Sequence, residues 1–184
     1  MQIETTALDG VLILTPRRFG DTRGWFVETY NASRMAEAGI ATVFVQDNHS
    51  FSAAKGTLRG LHYQKPPHAQ DKLVRCSRGA ILDVAVDVRA GSATYGQSVT
   101  IEVTAQNGRQ MLVPKGFLHG FVTLTDDTEV QYKCSDIYAP DCDGAVRWDS
   151  LGIDWGVTAP LLSDKDKAAP AFADWQSPFV GGAW

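Results

Sequence analysis

The residues best suited to chemistry lie in two stretches of the chain. Arg59-Gly60-Leu61-His62-Tyr63-Gln64 is followed by Lys72, ten residues after the histidine, and Pro114-Lys115-Gly116-Phe117-Leu118-His119 comes later. A protonated lysine cannot bind a metal ion, but its ammonium group can stabilise an oxyanion. This combination of imidazole and ammonium groups favours metal-free chemistry on a carbonyl compound.

Inversion of a carbon atom next to a ketone needs three groups: a base, a cation or donor that holds the enolate oxygen, and a proton donor on the opposite face. His62, Lys72 and Tyr132 supply these chemical types. Two of them also have a structural interpretation. His62 alone could be a hydrogen-bonded strand histidine, and Tyr132, which alternates with Val130 and Cys134, could be a core aromatic residue.

The spacing of Arg59 and His62 raises a geometric question. Residues three apart on a regular strand point to opposite faces, whereas His62 and Gln64 share a face. Arg59 and His62 can therefore serve one pocket only if a bend or bulge near Gly60 re-aims one of them.

Strands dominate the middle of the chain. Alternating polar and apolar residues, rich in β-branched types, predict strands at 80–88, 98–103, 110–113, 120–125 and 129–135. Gly and Asn residues separate them at intervals of about ten residues, which is typical of an antiparallel sandwich or barrel. We therefore predict an all-β core.

Helical patterns occur only towards the ends. Residues 32–38 could form a short helix closed by Gly39, and Ser163-Asp164-Lys165-Asp166 could open another. In the second segment Ser163 and Asp166 have the spacing of a capping box. After Pro170 we expect a loosely ordered, peripheral tail.

Length and composition predict a single domain over residues 1–184. The chain is 44% hydrophobic and 21% charged, which is ordinary for a soluble protein. It has no apolar run near the roughly 20 residues that span a bilayer, and no secretory signal, so we expect a cytoplasmic protein without membrane contact. Cys76, Cys134 and Cys142 form no CxxC pair and are expected to be reduced thiols.

The net charge of −4 is spread without long runs, which argues against nucleic acid as a partner. Local positive charge could still converge on one anionic small molecule. The basic residues available for this are Arg17, Arg18, Arg23, Arg59, Lys72 and Arg75.

The two chemical stretches resemble the two signatures of cupin-type jelly rolls. His119 ends the Pro-x-Gly-x-x-His signature, while Gly60, His62 and Gly79 fall in register with the other. Lys72 occupies the position of the usual glutamate ligand, and no second histidine follows His62 two places on, so the metal-ligand set is broken. We predict a jelly-roll β-sandwich or barrel with short peripheral helices and no metal. A metal-dependent cupin with ligands His62 and His119 is the less favoured alternative.

Seven segments, taken in order over roughly residues 10 to 172, resemble the dTDP-4-dehydrorhamnose 3,5-epimerase family. They are FGDTRGWFVE at 19–28, FVQDNHS at 44–50, LRGLHYQ at 58–64, AQDKLVR at 69–75, VPKGFLHGFV at 113–122, YK at 132–133 and LSDKD at 162–166. The resemblance implies a cofactor-independent enzyme that inverts C3 and C5 of dTDP-4-dehydro-6-deoxy-D-glucose, on either side of its C4 ketone. An epimerase of a related deoxysugar pathway that acts at only one carbon is the alternative.

The resemblance also implies a role for each site residue. His62 is expected to be the base, oriented by Asp166, while Lys72 faces the enolate oxygen and Tyr132 returns a proton from the other side. Arg23 and Arg59 are expected to hold the diphosphate, and Phe26 and Tyr138 to stack on thymine. The remaining contacts to the nucleotide or sugar are expected from Glu28, Gln46, Asn48, His119, Asp143 and Lys165.

The family forms homodimers, so Arg23 and Phe26 are expected to serve the neighbouring subunit's site. Two positions depart from the family pattern. Asp71 replaces the glycine that usually precedes Lys72, which could temper the lysine charge or shift a turn. Asp143 replaces a common glutamate, and its shorter side chain could loosen a contact with the sugar or nucleotide.

Overall fold

Antiparallel strands account for most of the regular structure in the computed structural model, which describes residues 1–180 and 182. The strands are β1 (Gln2–Thr5), β2 (Leu12–Thr15), β3 (Arg18–Asp21), β4 (Gly24–Val27), β5 (Gln46–Ser52), β6 (Leu58–Gln64), β7 (Lys72–Arg78), β8 (Ala80–Asp87), β9 (Ser98–Thr104), β10 (Gln110–Val113), β11 (Phe117–Thr123), β12 (Thr128–Cys134) and β13 (Asp143–Ala145). The helices are α1 (Ala32–Glu37) and α2 (Asp164–Lys167), and 3-10 turns span Pro140–Cys142 and Phe172–Asp174. The Gly60–Leu61 and Pro66–Pro67 peptide bonds are cis.

The strands pair into two larger sheets and one separate hairpin. Sheet I has the strand order β1-β2-β10-β7-β12-β5, sheet II has the order β13-β6-β11-β8-β9, and β3 pairs with β4. Neighbouring strands in both sheets are antiparallel. This arrangement confirms the predicted all-β core.

The inner faces of the two sheets meet in an apolar core. Because side chains alternate along a strand, every second residue of β7, β8 and β12 points between the sheets. Val74 and Val130 of sheet I pack there against Ile81, Val103 and Phe121 of sheet II. Burial of each large apolar side chain contributes roughly 1.5–3 kcal/mol. The polar residues that continue these inward-facing rows, such as Lys72 and Tyr132, are thereby held on a rigid support.

The outer face of sheet II is covered by the C-terminal part of the chain. Val84 and Leu118, which point away from the core described above, pack against Trp155 and Phe179. Trp155 is 2% exposed and Phe179 is 1% exposed.

The prediction of loose order after Pro170 is therefore wrong for residues 171–180. Phe179 fills the apolar surface of sheet II, and its carbonyl oxygen accepts a hydrogen bond of 2.8 Å from the backbone amide of Ala90. The last part of that prediction concerns Gly181, Ala183 and Trp184, which lie outside the described residues.

Both predicted helices are present. Asn31 caps α1, the helix ends before Gly39 at φ +81°, and its Met35 packs against the outer face of sheet I. Ser163 caps α2 through a hydrogen bond from the backbone amide of Asp166. Gly39 located the end of the first helix, because a glycine readily adopts the positive φ that closes a helix, and the capping box of Ser163 and Asp166 located the start of the second.

The irregularity that Arg59 and His62 require lies at Gly60. His62 pairs with His119, but Arg59 pairs with Phe121, so the register between β6 and β11 shifts by one residue. Gly60 has φ +127°, a region that favours glycine. A Cβ atom there would lie 2.6 Å from Cα of Gly120, so the two strands approach closely at this point.

Candidate active site

One cavity opens between the two sheets, where both carry polar residues. Its volume is about 410 Å³. Sheet II contributes Arg59, His62 and His119, and sheet I contributes Ser50, Lys72 and Tyr132. The rest of the wall consists of Thr57, Leu58, Phe121, Leu161, Leu162, Ser163, Lys165 and Asp166. The structure thus brings the predicted base, cation and hydroxyl together, with Arg59 beside them.

His62 is paired with a buried carboxylate. Its Nε2 atom lies 2.5 Å from Oδ1 of Asp166, whose side chain is 3% exposed. Burial alone would raise the pKa of Asp166, but hydrogen bonds from His62 and Ser163, the charge of His62 and the backbone amide of Gly60 lower it. The ionised carboxylate can only accept, so Nε2 of His62 carries a proton, and Nδ1 has a free electron pair whenever it is not itself protonated.

The short helix α2 holds Asp166 in position. Oγ of Ser163 accepts a hydrogen bond of 3.1 Å from the backbone amide of Asp166 and donates one of 2.9 Å to its Oδ2. The sequence left open whether Asp166 belongs to a helix cap or contacts His62. The structure contains both interactions, because the carboxylate has two oxygen atoms.

Lys72 begins β7 on the wall opposite His62. Burial lowers the pKa of its ammonium group, while Cys134, Asp143 and Asp83 act in the opposite direction. A cation held away from water interacts strongly with an anion that develops beside it. This position therefore suits stabilisation of an oxyanion.

Tyr132 stands on the same wall as Lys72. Its ring packs against the core that includes Val130, and the residue also lines the cavity. Burial raises the pKa of its hydroxyl, Cys134 and Asp143 add to the rise, and Arg59 opposes it. The hydroxyl therefore keeps its proton over a wide pH range and can act as a donor.

His119 lies next to His62 across the β6–β11 pair, and it also has a carboxylate partner. Its Nε2 atom lies 2.8 Å from Oδ1 of Asp83, a residue that is completely buried on β8. Asp83 is not among the predicted site residues. In sequence it appears only as a polar residue within an apolar strand, and nothing there links it to His119.

Arg59 is fixed by neighbouring residues of β5. Its Nη2 donates to the carbonyl oxygen of Phe51 at 3.0 Å, and its Nε donates to Oγ of Ser52 at 3.3 Å. Ser50 lines the cavity from the same strand. Ser50 is not among the predicted site residues, although its spacing of two from Asn48 places both on one face of a strand.

Gln46 and Asn48 lie on β5 but do not line this cavity. Gln46 donates to Oδ1 of Asn48 at 3.2 Å and accepts from the backbone amide of Tyr138 at 2.8 Å. Asn48 contacts Sγ of Cys134 at 3.5 Å. These contacts hold two of the predicted nucleotide-binding amides at one edge of sheet I.

Tyr138, Asp143 and Lys165 form a cluster at the edge of the cavity. Oδ2 of Asp143 accepts hydrogen bonds from the hydroxyl of Tyr138 at 3.2 Å and from the ammonium group of Lys165. The Tyr138 residue is 56% exposed, so one face of its ring is available for stacking. Three distant segments of the sequence thus meet at one place.

Arg23, Phe26 and Glu28 lie outside the cavity of their own chain. Arg23 pairs with Asp21 at 2.5 Å on the exposed hairpin of β3 and β4, and Phe26 is 68% exposed. Glu28 pairs with Arg34 at 2.9 Å. The structure does not bring these three predicted contacts to the site within one subunit.

Asp71 has a structural role beside Lys72. Its Oδ1 accepts a hydrogen bond of 2.8 Å from the backbone amide of Lys115, and its Oδ2 accepts one of 3.3 Å from the hydroxyl of Thr42. Of the two effects expected from Asp71, the structure favours fixation of the turn.

A second cavity, of about 320 Å³, lies on the outer face of sheet I. In its wall Lys133 pairs with Asp47 at 2.9 Å, and Arg75 donates to Oε1 of Gln131 at 2.7 Å. His49 of this wall pairs with Glu129 at 3.1 Å. The cavity between the sheets is the better candidate, because it contains a base that faces a hydroxyl and a cation.

Among residues 1–180 and 182, no three His, Cys, Asp or Glu side chains are grouped so that they could hold a metal ion. Within these residues, too, every helix is too short or too polar to cross a membrane.

A jelly-roll enzyme in which a histidine–carboxylate pair faces a tyrosine and a lysine belongs to the cupin-type carbohydrate epimerases, which are isomerases. The family model described as dTDP-4-dehydrorhamnose 3,5-epimerase matches residues 5–174. The chain belongs to this family, as its seven motifs predicted.

Known relatives agree closely with this assignment. A Pseudomonas aeruginosa protein named dTDP-4-dehydrorhamnose 3,5-epimerase is 49% identical, and the match covers 95% of this chain and 97% of that protein. The crystal structure of the Bacillus anthracis epimerase with TDP and PPi bound has a TM-score of 0.91 at 47% identity, covering 93% of this chain and 99% of that one. The Legionella pneumophila enzyme in complex with dTDP-4-keto-L-rhamnose has a TM-score of 0.89 at 42% identity, covering 94% and 93%. The predicted jelly-roll fold is confirmed.

Proposed function

We propose that this protein inverts C3 and C5 of dTDP-4-dehydro-6-deoxy-D-glucose and forms dTDP-4-dehydro-L-rhamnose, in dTDP-L-rhamnose biosynthesis. The observation that carries the proposal is the placement of the reacting groups on different sheets. His62 projects into the cavity from sheet II, while Lys72 and Tyr132 project from sheet I. A sugar ring between the sheets therefore has a base on one face and a proton donor on the other.

Proton transfer follows from this placement. Nδ1 of His62 removes the proton from the carbon next to the C4 ketone, and Asp166 stabilises the imidazolium that forms. The electron pair of the broken C–H bond moves into an enolate, whose oxygen faces the ammonium group of Lys72. Tyr132 then gives its proton to the carbon from the opposite face, so the configuration inverts without net redox change. Solvent then takes the added proton from His62 and returns a proton to Tyr132 before the second carbon reacts.

The nucleotide part of the substrate fits the polar edge of the site. Arg59 offers a planar guanidinium group suited to the diphosphate. Tyr138 offers an exposed ring to the thymine. Gln46, Asn48 and Lys165 supply hydrogen-bond donors near Tyr138. Arg59 bonds to Ser52 at one end of β5 and Tyr138 bonds to Gln46 at the other end, so the nucleotide part of the substrate would extend along this strand.

A homodimer explains the residues that stand away from the cavity. The hairpin of β3 and β4 exposes Trp25 at 62% and Phe26 at 68%, and exposed aromatic clusters commonly mark interaction surfaces. We propose that Arg23, Phe26 and Glu28 complete the site of the neighbouring subunit. The cytoplasmic location remains a prediction.

Isotope exchange tests the reaction directly. Incubation of the protein with the keto sugar in deuterated water should place deuterium at both C3 and C5, as measured by NMR of the product. Folded protein that exchanges neither carbon would contradict the proposal. Exchange with inversion at one carbon only would favour a single-carbon epimerase.

Two further measurements separate the proposal from other classes. His62→Ala should lose exchange at both carbons while dTDP still binds, because it removes the base and leaves the nucleotide contacts. Full exchange in His62→Ala would show that His62 is not needed for the reaction. It would favour a non-catalytic binding module, with the exchange caused by a contaminating enzyme. Activity that disappears with chelators and returns with iron, manganese or zinc would favour a metal-dependent cupin.

A further inference from the structure

The second histidine–carboxylate pair, formed by His119 and Asp83, lies behind the cavity. Oδ1 of Asp83 is 2.8 Å from Nε2 of His119, and the two residues are 0% and 6% exposed. The other oxygen, Oδ2, is buried without a hydrogen-bond partner among the described residues. A buried carboxylate that is only half satisfied costs stability, so a structural role alone does not explain it.

Asp83 projects towards Lys72 across the sandwich. On β8 it shares the inward face with Ile81, which packs against Val74 of β7. Lys72 precedes Val74 by two residues and points to the same interior. The carboxylate of Asp83 correspondingly opposes the lowering of the Lys72 pKa by burial.

The other groups around Lys72 are less able to balance its charge. They come from three elements: Cys134 from β12, Asp143 from β13 and Lys165 from α2. Burial raises the pKa of Cys134, which favours the neutral thiol. Asp143 is already bound to the ammonium group of Lys165. Asp83 remains as the nearby carboxylate that is not paired with a lysine or an arginine.

We propose that Asp83 is a positioning residue that fixes His119 through Nε2 and supplies the buried negative charge that keeps the Lys72 ammonium group protonated. With the Nε2 proton donated to Asp83, Nδ1 of a neutral His119 ring can only accept a hydrogen bond, so it is available to a substrate hydroxyl beside Lys72. The inference rests on the proposed function, because it assigns both residues to the side of the cavity that receives the C4 oxygen.

The test compares two buried aspartates of β8. Asp83→Asn keeps the shape of the side chain and removes its charge. Asp87→Asn is the matched control, because Asp87 is equally buried but is bound by Arg89, Ser92 and Thr94 away from the cavity. The ammonium pKa of Lys72 is followed by NMR of isotope-labelled lysine, and Lys72→Gln assigns the signal.

In Asp83→Asn the Lys72 pKa should fall by about one unit, and the basic limb of the kcat profile should move to lower pH with it. At neutral pH kcat should fall roughly tenfold or more, while KM changes little. The control Asp87→Asn should leave the lysine titration and the basic limb in place. An unchanged Lys72 titration in folded Asp83→Asn would overturn the inference.

A measurement on the wild-type protein covers the case in which Asp83→Asn does not fold. Nitrogen NMR of His119 should show a proton on Nε2, and a neutral ring protonated only on Nδ1 would overturn the inference. The Lys72 titration and the nitrogen NMR of His119 do not depend on turnover. Failure of deuterium exchange in the wild type would instead contradict the proposed function and leave the titration result standing.

Discussion

Asp166 joins the base to the backbone of a helix. One carboxylate oxygen binds Nε2 of His62 and the other binds the hydroxyl of Ser163. A carboxylate in this position fixes the tautomer of the imidazole and stabilises the imidazolium that forms when the base accepts a proton. The orientation of His62 therefore depends on a single helical turn.

Asp166→Asn should lower kcat by about 10²–10⁴-fold with little change in KM, because the amide supports the wrong tautomer of His62 and cannot stabilise its charged form. Steady-state kinetics and dTDP affinity measure the two effects. Asp164→Asn, an exposed carboxylate on the same helix, should leave kcat unchanged. A kcat of Asp166→Asn close to that of the wild type would contradict the role of the pair.

Tyr132→Phe should separate exchange from inversion. The ring remains in the core and His62 can still remove and return a proton on its own face, so deuterium should still enter the sugar. Formation of the inverted product should fall by about 100-fold or more, because the donor on the other face is lost. NMR of the recovered sugar measures both quantities. Tyr63→Phe, on the outer face of sheet II, is the control, and a parallel fall of exchange and inversion would exclude Tyr132 as the donor.

Residue types in the sequence were sufficient to select His62, Lys72 and Tyr132, since carbonyl chemistry needs a base, a cation and a donor. They could not show that Asp83 faces His119, because that contact depends on how β8 and β11 pair. They also could not show that Asp143 shares its charge between Tyr138 and Lys165. Such pairings are properties of the folded chain.

At the scale of elements, the register shift between the paired strands β6 and β11 positions the site. Gly60 and Gly120 meet where the register shifts, and a Cβ atom on Gly120 would lie 2.9 Å from the carbonyl oxygen of Arg59. The shift allows Arg59 and His62 to line one cavity. The close approach explains why two glycines face each other there.

Gly60→Ala should lower the free energy of unfolding by roughly 3 kcal/mol, since its Cβ atom meets backbone atoms and its φ of +127° disfavours any side chain. Gly56→Ala is the matched control, because its φ is +81° with nothing within 4 Å of the added carbon. It should cost only about 1 kcal/mol. Urea unfolding gives both values, and equal losses would show that the close approach is unimportant.

Sequence periodicity predicted β8, β9, β10, β11 and β12. The limits of β8, β9, β10 and β12 were accurate to about one residue, whereas β11 begins at Phe117, three residues before the predicted start. No strands were predicted from periodicity at β1 to β5 or at β7. β1, β3 and β4 are largely exposed and show no alternation of burial, whereas β2 and β7 have consecutive buried residues that interrupt the alternation. The sequence did not indicate that the C-terminal segment is packed against sheet II, because isolated aromatic residues such as Phe179 form no periodic pattern.

At the scale of the whole molecule, acid stability should depend on Asp87. Burial alone would raise its pKa, but hydrogen bonds from Arg89, Ser92 and Thr94 lower it from 3.8 to about 2. A carboxylate with a lowered pKa stabilises the fold above its unfolded pKa and loses this effect as the pH falls through the folded value. The contribution at neutral pH is roughly 2 kcal/mol.

Asp87→Asn should therefore lower the free energy of unfolding by roughly 2 kcal/mol at pH 7 and flatten its decline in the acid range between the unfolded and folded pKa values. Urea unfolding at several pH values measures this. Asp174→Asn, at an exposed position, should leave the curve unchanged. A variant with the wild-type pH dependence would show that other carboxylates dominate.

The proposed dimer predicts complementation between two inactive variants. Arg23→Ala should damage the neighbouring subunit's site, whereas His62→Ala damages its own. In a mixed dimer both changes fall on one site and the other is intact, so an equal co-expressed mixture should recover about a quarter of the wild-type activity. No recovery in a verified mixed dimer would place Arg23 in the site of its own chain. Gel filtration gives the oligomeric state.

The sandwich that separates His62 from Tyr132 has a consequence beyond the active site. The gap between the sheets is set by the side chains that fill it, such as Val130 and Ile81, which take no part in the proton transfers. Repacking these residues would alter how a six-membered ring sits between its two walls. The configuration of the product thus depends on the distance between the two sheets. A new stereochemical outcome could arise in evolution from substitutions of core side chains, while every reactive residue stays the same.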